Sequence, residues 1–204
     1  MAAVKARRTQ AERREGTIRK LLDAAADALI DTGYAAASVQ AICERAGVSQ
    51  GALFRHFPTR EALMVAVGED VGRRTLERYR KDFLALRGKE DALPLALRLV
   101  RATCRSRLNQ AWYELAMAAR TSPRLRRGIR PVAERYFADI EGVARELLPD
   151  PASTLGAAFP LFVQTMIAIF DGESVHDFIL PSPQADEARL LLLLKLAEHA
   201  LRPA

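Results

Sequence analysis

The chain has 204 residues, 31 Lys and Arg against 25 Asp and Glu, a formal net charge of +6, and 50% hydrophobic residues. That apolar content excludes a disordered chain, the sparse Gly and Pro exclude a collagenous or low-complexity one, and two cysteines, Cys43 and Cys104, make no disulfide framework. No apolar run reaches the ~18–20 residues of a membrane span, since Pro160 and Gln164 interrupt the most apolar stretch. The first residues are basic rather than leader-like, so a cytoplasmic protein with no membrane partner is expected.

Residues 1–60 hold ten basic and six acidic side chains; the remaining 144 hold 21 and 19. The excess is densest over residues 5–20, with Lys5, Arg7, Arg8, Arg13, Arg14, Arg19 and Lys20. Such an arm suits a nucleic acid or an anionic membrane surface, or is a solvated tail.

In chain order, Ile18, Leu21, Leu22, Ala25 and Leu29 mark one face of a first helix, stopped by Gly33. Ser38 caps a short helix from Val39 to Ala46, which Gly47 breaks. Ser49 caps another, from Gln50 to about Phe57, closed by Pro58. Thr59 opens a long helix with the stripe Leu63, Val67, Val71, Leu76, Tyr79, Phe83 and Leu86. Asp91 opens the next, whose stripe runs from Leu93 to Cys104 and Leu108, and residues 109–121 form a shorter one.

Ser122-Pro123, Asp150-Pro151 and Ser182-Pro183 each read as a cap before a proline at the first helical position. Pro131 predicts a kink or restart within the helix after Ser122. Nothing alternates with period two, so the fold is all-α, with about nine helices.

Val39 to Phe57 has helix-turn-helix spacing: Ile42, Ala46, Val48 and Leu53 pack the two helices, Cys43 is small at their crossing, and Gly47 makes the turn. That geometry presents the second helix to a major groove while the first crosses the backbone. An ordinary αα-hairpin has the same outline; the basic arm upstream favours DNA.

The run Gly33-Tyr34, Ser38-Val39, Ile42, Ala46-Gly47-Val48-Ser49, Gly51, Leu53-Phe54, His56-Phe57-Pro58 and Arg60-Glu61-Ala62-Leu63 resembles the DNA-binding domain of TetR-family transcriptional regulators. It covers about the first third of the chain. Phe54 stands where the family usually has Tyr, Ala37 where Thr is frequent, and Arg60 where Lys is usual.

The resemblance implies two domains, 1–60 for the arm and helix-turn-helix and 61–204 for effector binding and dimerisation. It places Gln50 at the start of the recognition helix and Gln40 near the start of the helix before it. Their amides suit adenine, although for Gln40 plain solvation is an equal reading. Gly51 and Ala52 allow close approach to bases, and Arg55 suits guanine or phosphate. Ser38, Ser49, His56 and Arg60 are phosphate candidates. Phe54 and Phe57 are read as core. No metal or cofactor is expected, His56 lacking a partner at ligand spacing.

The two last helical patterns, residues 155–170 and 190–201, are apolar on more than one face, which calls for cover on more than one face. The resemblance implies a homodimer built on them, here through Leu161, Ile169, Leu190, Leu193, Leu194, Ala197 and Leu201, reading a palindromic double-stranded operator. It also implies an effector cavity among the middle helices. Candidates there are Cys104, Leu108, Trp112, Tyr113, Met117, Arg120, Phe137, Phe162 and Met166, a set that suits a small lipophilic ligand.

The resulting expectation is a repressor released by its effector, with no catalytic residues. The alternatives are a ligand-insensitive architectural DNA-binding protein or a helical enzyme. For the enzyme, the cluster Asp171, Glu173, His176 and Asp177 suggests metal or acid–base chemistry; it reads instead as solvated charge in a loop.

Overall fold

A computed structural model of the protein describes residues 9–89 and 91–201; Lys5, Arg7 and Arg8 of the basic arm lie outside the described residues. Among the described residues the ordered structure is ten α-helices and one 3-10 turn, with no strand. They are α1 (Gln10–Ala36), α2 (Val39–Ala46), α3 (Gln50–His56), α4 (Arg60–Leu84), α5 (Ala92–Cys104), α6 (Arg107–Thr121), α7 (Pro123–Leu147), α8 (Pro149–Leu155), the turn Gly156–Ala158, α9 (Phe159–Asp177) and α10 (Pro183–Ala200).

Compactness divides the chain elsewhere than the motif-based boundary at residue 60. One unit holds residues through Val71 together with Gln110–Val132; the other holds Gly72–Asn109 and Ala133 onward. The division falls inside α4, α6 and α7, so each of these helices runs from one unit into the other.

In the first unit, α1 begins with a capping box in which Thr9 and Glu12 exchange hydrogen bonds, satisfying two otherwise orphaned N–H groups. Its regular helix breaks at Gly33, whose φ of 77° is open to glycine and costly for other residues. Leu21, Ala25, Leu29, Ile42, Leu53, Leu63, Met64, Leu115 and Leu125 supply the buried interior. The Asp70 carboxylate, itself buried, accepts from Arg19 at 2.8 Å and 3.0 Å and ties α4 to α1. Glu114 of α6 accepts from the backbone N–H of Tyr34 at 2.9 Å, which is why α6 belongs with the N-terminal helices.

In the second unit, Leu76, Tyr79 and Phe83 of α4 pack with Ala96, Ile140, Val143, Leu147 and Ile167. A second cluster joins Leu97 and Cys104 to Phe170 of α9 and Leu190 of α10.

Several helix boundaries differ from expectation. The stripe assigned to one helix through Leu108 is divided at Cys104, and α6 starts at Arg107. The helix after Ser122 does not restart at Pro131: α7 is one helix from Pro123 to Leu147. Of the three Ser/Asp-Pro starts, only Ser122 caps through its side chain, accepting from Leu125 N–H at 3.3 Å. Asp150 lies within the first turn of α8, and Ser182 makes no capping bond. The helix expected from Leu155 is interrupted by Gly156, which adds an element to the count.

By length and mean hydropathy (1.6) the stretch Pro149–Asp177 is apolar enough to cross a bilayer, a property that the core helices of soluble folds share. Pro160 and Gln164 do not break α9 as they break the apolar run in the sequence. Toward its end the stretch carries Glu173, buried and ion-paired with Arg101.

Candidate nucleic-acid interface and effector cavity

The bihelical element forms as its sequence dictates. The Ser38 hydroxyl accepts from Ala41 N–H at 3.1 Å and the Ser49 hydroxyl from Ala52 N–H at 3.2 Å, so each short helix starts on a satisfied cap. Gly47 is left-handed, with φ 65° and ψ 38°, and its N–H closes the end of α2. Ile42 and Leu53 are fully buried and Cys43 nearly so. Burial and the adjacent Glu44 carboxylate push the Cys43 thiol up, suiting it to packing rather than reactivity.

With Leu53 pointing inward, α3 turns Gln50, Gly51, Phe54 and Arg55 to solvent; Ala52 and His56 are half-buried. These four exposed positions, spaced i, i+1, i+4 and i+5, make a single face. It carries an amide, a bare backbone, an aromatic ring and a guanidinium, which together can read base edges and hold phosphate.

Phe54 corrects the sequence reading. It is 46% exposed rather than core, and lies on the same open face as Gln50 and Arg55. The cue was its place one turn from Gln50, opposite Leu53.

Gln40 is exposed on α2, and its amide donates to Glu44 at 3.0 Å, so it must leave that bond to meet a base. Arg60 is half-buried and engaged within the protein. Its Nε donates to the Ala37 carbonyl at 2.9 Å, a second nitrogen donates to the Tyr34 carbonyl, and the guanidinium stacks 4.1 Å from the Tyr34 ring centroid. It holds the α1–α2 link to the start of α4, a positioning role that its helix-start location did not reveal. Ala37, whose carbonyl takes the Nε bond, is fully buried.

The second unit contains a small cavity of about 50 Å³ with almost wholly apolar walls, lined by Tyr79, Phe83, Leu93, Leu97, Val100, Phe162, Met166 and neighbours. Of the nine residues named for the effector, Phe162 and Met166 line it. Cys104 packs beside Leu97 and Phe170, and Phe137 against the Leu76–Ile167 cluster. Leu108 does not line the cavity. Trp112, Tyr113, Met117 and Arg120 fall in the other unit, with Met117 64% exposed and Arg120 exposed. Periodicity put them on helices correctly and could not say which body those helices join.

Burial, then the Asp171 carboxylate, push the Cys104 thiol far above its usual range. Asn109 spans that corner, donating to the Cys104 carbonyl at 3.2 Å and to Asp171 at 3.4 Å.

The acidic cluster is not solvated loop charge. It lies on α9, and Glu173 is buried, accepting from Arg101 Nε at 2.9 Å and from a terminal nitrogen at 2.7 Å. Arg105 binds Asp177 at 2.5 Å and Asp186 at 2.6 Å, while Arg98 holds Glu187 at 2.5 Å. The network fastens α5 to α9 and α10. The Arg105 guanidinium holds the Asp186 carboxyl below its ordinary value.

The dimer set divides. Leu161 is 66% exposed and Ile169 is exposed, as expected; Leu193, Leu194 and Leu201 are half-buried. Leu190 and Ala197 are corrections: at 4% and 2% exposure they face their own core. The open face of α10 is carried by Leu191, Leu192 and Leu196 instead. A run of five leucines does not announce which of them point outward.

Residues 21–67 match the pattern of bacterial regulatory proteins of the tetR family. An uncharacterized helix-turn-helix-type transcriptional regulator of Mycobacterium tuberculosis is 41% identical over 194 residues, 95% of this chain and 99% of that relative. The chain belongs to the TetR family. It is a DNA-binding transcriptional regulator, and α2–α3 is its helix-turn-helix. The helix-turn-helix-type transcriptional regulator CymR of Pseudomonas putida is 35% identical over 129 residues, covering 63% of this chain and 64% of CymR. In fold, the crystal structure of a TetR-family regulator from Rhodococcus sp. superposes with a TM-score of 0.68 at 21% identity, covering 91% of this chain and 99% of that one.

Proposed function

We propose that the protein is a homodimeric repressor whose two α3 helices read a palindromic operator, and that a small apolar effector releases it. The observation that carries the DNA half is the solvent-facing set Gln50, Gly51, Phe54 and Arg55, raised on a capped, left-handed turn over a buried Leu53. A single such helix reads a few base pairs, and two-fold repetition supplies the remaining affinity, with half-sites about one helical turn apart. Gln50 and Arg55 act as base readers and Phe54 as an apolar contact, with Ser38, Ser49 and His56 toward phosphate and Gln40 reaching DNA on release from Glu44.

The dimer reading is supported by the exposed apolar side chains Leu161 and Ile169 on α9 and Leu191, Leu192 and Leu196 on α10. Large apolar side chains left open on two helices offer a partner surface to cover. The effector reading is supported by the apolar cavity beside Tyr79, Val100 and Met166. At about 50 Å³ it must open to take more than a few atoms, so binding couples to helix displacement and can shift a conformational equilibrium.

Selection of bound duplexes from a random-sequence pool tests the reading. A two-fold symmetric consensus with half-sites spaced about 10 base pairs is expected, together with a solution mass of two chains. An asymmetric single site bound by a monomer contradicts it.

A further inference from the structure

From Arg120 to Val132 the sequence carries five arginines, Arg120, Arg124, Arg126, Arg127 and Arg130, and no acidic residue. All five are exposed. Arg124, Arg126 and Arg127 make no ion pair among the described residues. Arg98 and Arg101 of α5, and Arg105 just after it, behave oppositely in the other unit, each engaged by a carboxylate.

The segment is held firmly in the unit that contains the helix-turn-helix. Leu125 and Ile129 are buried between the arginines. At Gly128 the backbone of α7 crosses α4 so closely that a Cβ would stand 2.5 Å from Cγ2 of Val65. Val65 lies five residues into α4, about 7–8 Å along its axis from Arg60, and α4 follows directly on α3.

Charge is distributed unevenly within this unit. Through Val71 there are ten basic and nine acidic residues; over residues 110–132 there are five and one. Most of the net positive charge of the DNA-reading unit therefore comes from the end of α6 and the start of α7. The placement also opposes the helix dipole: the first turn of α7 has no acidic residue, and cations crowd the end where N–H groups already present positive charge. An anion docked there relieves both.

We propose that the arginine surface of α7 binds the phosphate backbone of duplex DNA beside the helix-turn-helix, adding affinity without reading sequence. The proposal rests on α3 being the DNA-reading helix, and extends the interface to an element that the N-terminal motif does not include. Arg124, Arg126 and Arg127 are the principal contacts.

The test is a salt titration of the full-length protein on a selected duplex extended past the site at both ends, and on a scrambled duplex of equal length. Each lost phosphate contact lowers the slope of log K against log salt by about 0.9. The triple variant R124Q/R126Q/R127Q is expected to lose between about one and three units of slope, equally on both duplexes, while R124K/R126K/R127K retains it. An unchanged slope in the glutamine variant overturns the proposal and leaves the patch to an acidic protein partner. Gln50→Ala distinguishes the underlying reading, since it should reduce preference for the selected duplex about 5- to 150-fold and keep the slope. If the wild-type protein shows no preference at all, the recognition-helix reading fails, while the arginine test still runs on the scrambled duplex.

Discussion

Two groups of arginines, one in each unit, are used in opposite ways. In the second, Arg98, Arg101 and Arg105 are drawn against Glu173, Asp177, Asp186 and Glu187, and their charge is spent on orienting helices. In the first, Arg55, Arg124, Arg126 and Arg127 face solvent. A paired, desolvated guanidinium fixes structure and is costly to disturb, whereas an open one is available to a polyanion. Sequence charge counts cannot make the distinction, because both kinds of arginine score alike.

The largest expected effect breaks the paired side. Glu173→Ala leaves Arg101 buried without its bidentate partner, which should cost about 3–5 kcal/mol in urea unfolding. A loss under 1 kcal/mol would mean that Asp186, 2.9 Å from Arg101, replaces it.

On the open side, Gln50→Ala should reduce discrimination between selected and scrambled duplexes by about 1–3 kcal/mol, with stability unchanged. Next comes Gly47→Ala, which forces a β-carbon into a left-handed turn and should cost about 1–2 kcal/mol of stability, measured by thermal unfolding.

Arg60→Ala is sharper for the comparison than for its size. It should lower the melting temperature and weaken binding to every duplex alike, because it loosens the α1–α2 link rather than removing a base contact.

The smallest effect is in acid. Hydrogen bonds from Arg105 and Arg98 hold Asp186 and Glu187 below their ordinary values of 3.8 and 4.5. A depressed folded-state pKa gives stability that is present above the unfolded value and lost as pH falls through the folded one. Stability should therefore decline below about pH 4, and Asp186→Asn should flatten that decline in pH-dependent unfolding. No change in slope would show these surface pairs to be screened.

The local grammar of the first unit was legible in the sequence. Ser38, Gly47 and Ser49 each act within a few residues, so caps and turn followed from residue type alone. The recognition helix was found for the same reason. Tertiary direction was not legible where the pattern is degenerate: all-round apolarity in α10 concealed that Leu190 and Ala197 face inward while Leu192 and Leu196 face out. The effector candidates scatter for a similar reason: Phe162 and Met166 line the cavity, whereas Trp112 and Met117 sit on a helix that is shared between units. Glu173 was missed because its partner, Arg101, is 72 residues away.

The central claim is that α3 reads bases through its exposed face. Fluorescence anisotropy of wild type and Gln50→Ala, titrated on the selected and scrambled duplexes at one salt concentration, tests it most directly. The account predicts that the variant binds the scrambled duplex as the wild type does and loses about 1–3 kcal/mol of its preference for the selected one. An unchanged preference would contradict it, and would place sequence recognition on another surface of the protein.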